Sequence, residues 1–214
     1  VDFAIFIGEE KTLIYRNGQG IVLNEPSMVA YLNGKIIAVG KDTLQYLENP
    51  DVKFNQIIKF GNIQNVDAAS VFLRALIKKV GTMGVCLICI PASLNQDGLN
   101  NYKTAIYSAG VADAMFIPSV VANLVASGHD LFNETKIMSI VMEGESADIA
   151  VIRGGEIIDG GSLYDIDRFE EARTQLEAKY SGIQSFHGDR MMIINGAGEL
   201  LTKPDIVKKI IALN

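Results

Sequence analysis

Apolar and polar positions are patterned at short range in the first forty residues. β-Rich runs at 3–8, 13–16 and 20–23 are separated by turns. Asn17-Gly18, between the last two, is a strong hairpin signal because these residue types accept the positive φ that tight hairpin turns require. A second hairpin is predicted from 27–32 and 35–39 through Asn33-Gly34. Residues 41–47 read as a short helix, and 56–60 as an edge strand within a mixed stretch. The clearest helix covers 66–80. There Val66, Ala69, Phe72, Leu73, Leu76, Ile77 and Val80 recur at helical spacing and form one apolar stripe.

The second half alternates strand and helix. Residues 85–90 read as a buried strand and 99–108 as a helix closed by Gly110. A short strand follows at 114–117, with Pro118 in the first turn of a helix running to 126. Strands at 137–142 and 148–152 flank a tight turn, and another lies near 156–158. A charged helix is predicted at 167–180, a buried strand at 191–194 and a last helix from about 204. No solenoid repeat, low-complexity tract or linker is present. Hairpins leading into strand–helix alternation, twice, describe an α/β protein with two related lobes, and the pattern alone also allows other mixed α/β folds. The first lobe is expected over 1–95, with a small outer subdomain at about 30–65, and the second over 96–214.

Composition narrows the function classes. A chain of 214 residues, 49% apolar and 21% charged, has ample material for a core. Its net charge of −6 advertises no nucleic-acid surface. No apolar run approaches the ~20 residues of a membrane span. Neither a signal pattern nor an N-terminal amphipathic helix is seen, so the chain reads as cytoplasmic. Cys86 and Cys89 sit in a strand-like run, where residues three apart point to opposite faces and cannot jointly grip a metal. They read as buried structural thiols. His129 and His187 lie in polar loops without a cysteine partner, and no Gly-x-Ser-x-Gly, HExxH or intact P-loop occurs.

Several segments carry a family resemblance. Thr12-Leu-Ile-Tyr15, Gly20-Ile-Val-Leu-Asn-Glu-Pro-Ser27 and Gly34-Lys-Ile-Ile-Ala-Val-Gly40 come first. Cys89-Ile-Pro-Ala-Ser93, Pro118-Ser-Val-Val-Ala122, Ala147-Asp-Ile-Ala-Val-Ile152 and Asn195-Gly-Ala-Gly-Glu-Leu-Leu201 follow. In this order they resemble the MreB family of bacterial actins, within the actin/Hsp70 ATPase superfamily. The resemblance implies an actin-like (ribonuclease H-like) two-lobed fold with a nucleotide cleft between the lobes. By the same resemblance the cleft would include Gly8, Thr12, Gly144 and Ser146 from two phosphate loops, and Gly196 and Gly198 from an adenosine loop.

The residues that carry the family's chemistry are replaced. Its first phosphate loop reads Asp-x-Gly-Thr, and this chain has Phe6-Ile-Gly-Glu9. Its second reads Asp-x-Gly-Gly-Gly-Thr, against Val141-Met-Glu-Gly-Glu-Ser146 here. Phe116 and Ile117 stand where the family places its water-orienting glutamate, and Glu199 replaces a small residue of the adenosine loop. A polyphosphate would meet Glu9, Glu10, Glu143 and Glu145, only one of them offset by Lys11, at ~1 kcal/mol per pair even in bulk water. Gly8 and Gly144 also read as plain turn glycines, Gly196 and Gly198 as a strand-to-helix turn, and the glutamates as a solvated rim. The short passage 181–190 implies that the second lobe lacks its outer subdomain. The end soon after 201 implies loss of a returning strand and helix, leaving apolar surface on the first lobe.

The expected function is a catalytically silent actin-like scaffold or adaptor. It would act through a protein partner or self-association in a cell-shape, division or spore-forming assembly, with no cofactor, catalytic residue or metal site. The alternative is a reduced but active filament protein using ATP and Mg²⁺. A third class is a small-molecule or metal sensor using the acidic cleft.

Overall fold

A computed structural model describes residues 2–214. β1 (Phe3–Ile7), β2 (Lys11–Arg16) and β3 (Gly20–Pro26) form an antiparallel meander. β4 (Met28–Leu32) and β5 (Lys35–Val39) follow as a hairpin. Asn33 and Gly34 both take positive φ, 51° and 76°, as a tight hairpin turn demands. The expected helix at 41–47 is a 3₁₀ segment, Gly40–Tyr46. β6 (Lys53–Gln56) pairs with β4, so the predicted edge strand is divided between β6 and a ribbon of β7 (Ile58–Lys59) and β8 (Asn62–Ile63). The sheet β5-β4-β6 is the outer subdomain of the first lobe. It is tied back where Glu25 accepts hydrogen bonds from Lys41 N–H at 2.9 Å and Lys79 Nζ at 2.9 Å.

α1 (Val66–Val80) forms where the apolar stripe predicts, capped by Asn65 Oδ1 on the Ala68 amide. β9 (Val85–Ile90) lies parallel to β1. α2 (Gln96–Ser108) begins earlier than expected because Asn95 caps it through the Gly98 amide. β10 (Asp113–Pro118) extends the first sheet to the order β10-β9-β1-β2-β3. This pairing carries the first lobe past residue 95, to about 118. Pro118 ends β10 in extended backbone and precedes α3 (Ser119–Ala126) rather than lying inside its first turn.

The second lobe repeats the plan. β11 (Ile137–Glu143), β12 (Ser146–Arg153) and β13 (Glu156–Leu163) form another antiparallel meander. α4 (Ile166–Lys179) then passes through residues 180–183 to β14 (Gln184–Gly188), which runs parallel to β11. No outer subdomain intervenes. α5 (Arg190–Leu200) and α6 (Pro204–Leu213) close the described chain. Among the described residues no helix is long and apolar enough to cross a membrane.

The predicted strand at 191–194 is therefore helix, and Gly196 and Gly198 lie within α5 rather than in a strand-to-helix turn. Asp189 starts α5 by accepting from the Met191 and Met192 amides at 2.9 and 3.1 Å. Ile193, Ile194, Ala197, Leu200 and Leu201 then fall on one buried face. That face packs with Ala4, Phe6 and Leu13 of the first sheet.

Strand alternation distributes the core. Phe3, Ile5 and Ile7 pack with Phe72, Leu76, Tyr102 and Ile106 of α1 and α2. Ala4 and Phe6 face the opposite way, onto a core in which α3 and α5 lie between the two sheets. Met138, Ile140, Ile149 and Val151 pack beneath Phe169 and Leu176 of α4 on the outer face of the second sheet. Cys86 and Cys89 fall in different cores, and burial pushes both thiols up to about 12.

Gly196 sets the approach of α5 to α3, since a Cβ there would overlap the Ala122 carbonyl oxygen. Glycine-to-alanine inside a helix ordinarily gains about 1 kcal/mol. Here the sign reverses: urea unfolding of Gly196→Ala is expected to show a loss of about 1–3 kcal/mol, as overpacking does.

Candidate functional site

The turn after β1 and the turn after β11 face each other across the lobes, and each supplies a carboxylate to the other's backbone. Glu9 Oε2 accepts from the Glu145 amide at 3.3 Å, and its Oε1 accepts from the Phe60 amide at 2.6 Å. In return Glu143 Oε1 accepts from the Glu10 amide at 3.1 Å. Glu9 and Glu143 are each only 8% exposed, so they are not a solvated rim. Glu10 and Glu145 remain exposed. Arg190, the first residue of α5, bridges Glu10 and Glu143, its Nε 3.2 Å from Glu143 Oε2. The acidic cluster thus contains its own counter-ion.

This reciprocal clasp explains two glycines. A Cβ on Gly144 would come within 2.8 Å of Glu9 Oε2, and Gly144 also holds φ at +59°. A Cβ on Gly8 would come within 2.5 Å of Glu143 Oε1. Both turns present amides to an anion, and that anion is a carboxylate of the same chain.

Behind the clasp the cleft is nearly filled. The cavity is about 40 Å³, lined by residues that include Phe6, Cys89, Val141, Asp148, Tyr164 and Ile193. Small-molecule pockets span roughly 300–1,000 Å³, whereas a water needs about 10–15 Å³. The space suits a few waters. Phe6 and Val141, both buried, stand where the resemblance implies carboxylates.

Further contacts join the lobes beside this cavity. Asp148 Oδ2 accepts from the Ala92 amide at 3.0 Å. Ser93 and Ser162 exchange hydrogen bonds: the Ser162 amide donates to Ser93 Oγ at 2.8 Å and the Ser93 amide to Ser162 Oγ at 3.3 Å. The rings of Phe60 and Tyr164 meet at 5.9 Å. Burial pushes the Asp148 carboxyl from 3.8 up to about 6, against the lowering effect of Ser162 and the Ala92 amide. Burial also raises Glu143, more than the Glu10 amide and Arg190 lower it.

The sequence-derived site residues divide into two groups. Gly8, Gly144 and Ser146 meet at the clasp, where Ser146 Oγ donates to the Glu143 carbonyl at 2.9 Å. Thr12 is 0% exposed and turns away, its Oγ1 2.8 Å from Ser27 Oγ. Gly196 and Gly198 are remote from the clasp, pressed against Ala122 and the Tyr15 ring. Among the described residues no group of three or more His, Cys, Asp or Glu side chains gathers as a metal site.

Arg190 and Asp148 escape the sequence reading, though each leaves a signal. Asp189 ahead of the helically spaced apolar residues marks a capped helix with Arg190 at its start. Asp148 shares a strand face with Ala150 and Ile152, and a charge on an otherwise apolar face calls for a partner.

A family model described as MreB/Mbl protein matches residues 1–172. The chain belongs to the MreB/Mbl family. It is 28% identical over 171 residues to the cell shape-determining protein Mbl of Bacillus subtilis, covering 76% of this chain and 51% of that protein. It is 31% identical over 188 residues to the cell shape-determining protein MreB of Haemophilus influenzae, covering 80% and 53%. The chain therefore spans about half the length of the curated relatives it matches. Among solved structures it superposes on ADP-bound MreB5 of Spiroplasma citri with a TM-score of 0.69 at 20% identity, covering 92% of this chain and 60% of that one. For the MamK double helical filament the TM-score is 0.61 at 15% identity, with 84% and 60% covered. These likenesses show an actin-like fold. In this family member the matched residues stop ahead of β14 and α5.

The raised carboxyls fix a pH dependence. Asp148 releases its proton at about 6 in the folded chain and near 3.8 unfolded, so the folded state binds more protons between those values. Stability should therefore fall as pH rises through this window, by at most about 1.4 kcal/mol per pH unit for this group. Glu143 acts in the same direction. Urea unfolding across the window should show that slope, and Asp148→Asn should flatten it.

Proposed function

We propose that this chain is a catalytically silent actin-like scaffold that acts through protein contacts in a cell-shape assembly. The observation that carries this reading is the clasp. The turns that resemble phosphate loops have their amides occupied by Glu9 and Glu143, and the space behind them is about 40 Å³. The names of the curated relatives, cell shape-determining proteins, support the cellular role. The filament described for MamK supports self-association. No cofactor is needed for this role.

The competing reading, a reduced filament protein using ATP and Mg²⁺, draws on the ADP-bound MreB5 neighbour. It requires the lobes to part and four interlobe carboxylates to tolerate a polyphosphate. Calorimetry with ATP·Mg²⁺ separates the two. We expect no dissociation constant tighter than about 1 mM, equivalent to −4.1 kcal/mol, and no hydrolysis above background. Sedimentation should give one small species, monomer or closed dimer, with or without ATP. Micromolar binding, or polymers formed only with ATP, would overturn the scaffold reading.

Substitutions locate the cause. Glu143→Gly with Glu145→Gly opens one loop only and should restore little affinity. Adding Phe6→Asp and Glu9→Thr removes the second carboxylate and supplies polar groups in the cleft, so measurable ATP binding is expected only in the fourfold variant. Nucleotide binding by the unmodified chain that none of these changes alters would contradict the assignment.

A further inference from the structure

We propose that the Phe60-Gly61 turn is a strap: anchored in the first lobe, it clamps the second lobe at its tip, so the cleft opens only when the turn lets go. This coupling holds whether or not the cleft takes a nucleotide. The base of the strap is the ribbon of β7 and β8, whose pairing of Ile58 with Ile63 and Lys59 with Asn62 leaves a two-residue loop. Ile58 and Ile63 are buried in the core that contains α1 and α2, which fixes the ribbon to the first lobe.

The residue at the tip does not suit the turn it forms. Phe60 and Gly61 hold φ at 51° and 68°, the two positive values of a tight hairpin turn. Asn33 and Gly34 take nearly the same pair, 51° and 76°, with the residue types such turns favour. Phe60 and Asn33 are the two non-glycine residues at positive φ among the described residues. Asparagine accepts that backbone readily, whereas a bulky aromatic is a rare occupant. Phe60 is also 41% exposed, so burial within its own lobe does not account for it. An unfavourable backbone of this kind persists where surrounding contacts hold it.

Contacts from both lobes meet at the tip. On the first-lobe side, Tyr102 of α2 donates its hydroxyl to the Gly61 carbonyl at 3.2 Å, and the Lys59 ammonium lies over the Phe60 ring at 5.1 Å. From the second lobe comes Tyr164, which directly follows β13. Its ring meets that of Phe60 at 5.9 Å, and its hydroxyl lies over Gly61, where a Cβ would come within 3.0 Å of it. The Phe60 amide donates to Glu9 Oε1, while Glu9 Oε2 accepts from the Glu145 amide across the lobes. One carboxylate therefore joins the strap to the clasp, and the two release together. Whatever lifts the turn loosens the clasp, and by linkage whatever parts the lobes frees the turn.

The test is hydrogen exchange of the ¹⁵N-labelled chain. It is read at the Glu10 and Glu145 amides, which donate across the lobes, and at the Gln64 amide, which donates to the Ile57 carbonyl at 3.1 Å at the base of the ribbon. Phe60→Asn supplies the better turn residue and removes the ring. Exchange at Glu10 and Glu145 should rise about three- to tenfold, as loss of one aromatic pair gives, while Gln64 keeps or gains protection. Tyr164→Leu should produce the same signature from the other lobe, and the double variant should add little to either. If Phe60→Asn disturbs the fold, seen as faster exchange throughout α1, Tyr164→Leu decides alone. Unchanged or slower exchange at Glu10 and Glu145, loosening of Gln64 in step with them, or independent effects of the two substitutions would overturn the proposal.

Discussion

Two buried carboxylates, each hydrogen-bonded to the backbone of the opposite lobe, hold this chain closed. A carboxylate taken out of water costs several kcal/mol unless its oxygens find donors and a counter-charge. Glu143 accepts from the Glu10 amide and Glu9 Oε2 from the Glu145 amide, so their full satisfaction requires the lobes to meet, while Glu9 Oε1 is held by the Phe60 amide of its own lobe. Arg190 supplies the positive charge, which fixes where α5 must begin. Glycine at 8 and 144 follows, because those carboxylates occupy the space a side chain would need.

The rest of the architecture serves the same closure. Two meanders, β1–β3 and β11–β13, present equivalent turns to each other. β9 and β14 extend them in parallel on matching sides. α3 and α5 fill the layer between the sheets, and the missing side chain at Gly196 lets them approach closely enough. Two-lobed proteins commonly close around a ligand that binds the closed form better. On the proposed reading the closing contacts belong to the chain itself, so closure asks for no ligand.

On that reading, binding falls to the outside of the molecule. The outer subdomain is joined to α1 through Glu25, Lys41 and Lys79, yet β6 keeps a free edge.

Local rules made much of the fold legible. The Asn33-Gly34 turn, the stripe along Val66–Val80 and the opposed faces of Cys86 and Cys89 need only backbone preference and periodicity. The family resemblance gave the actin-like fold and singled out Gly8, Gly144 and Ser146, which the structure brings together at the clasp. A four-residue apolar run such as 191–194 fits strand and helix alike, and only the Asp189 cap and the contact with α3 resolve it as helix. Reading 191–194 as a strand also left Arg190, at the start of α5, unseen. Whether the acidic turns repel a ligand or bind each other was also decided in three dimensions. Glu143 meets the Glu10 amide across 133 residues of chain, and Glu9 meets the Glu145 amide across 136. No local pattern encodes such pairs, because their energy depends on burial and on donors that only the closed lobes bring together.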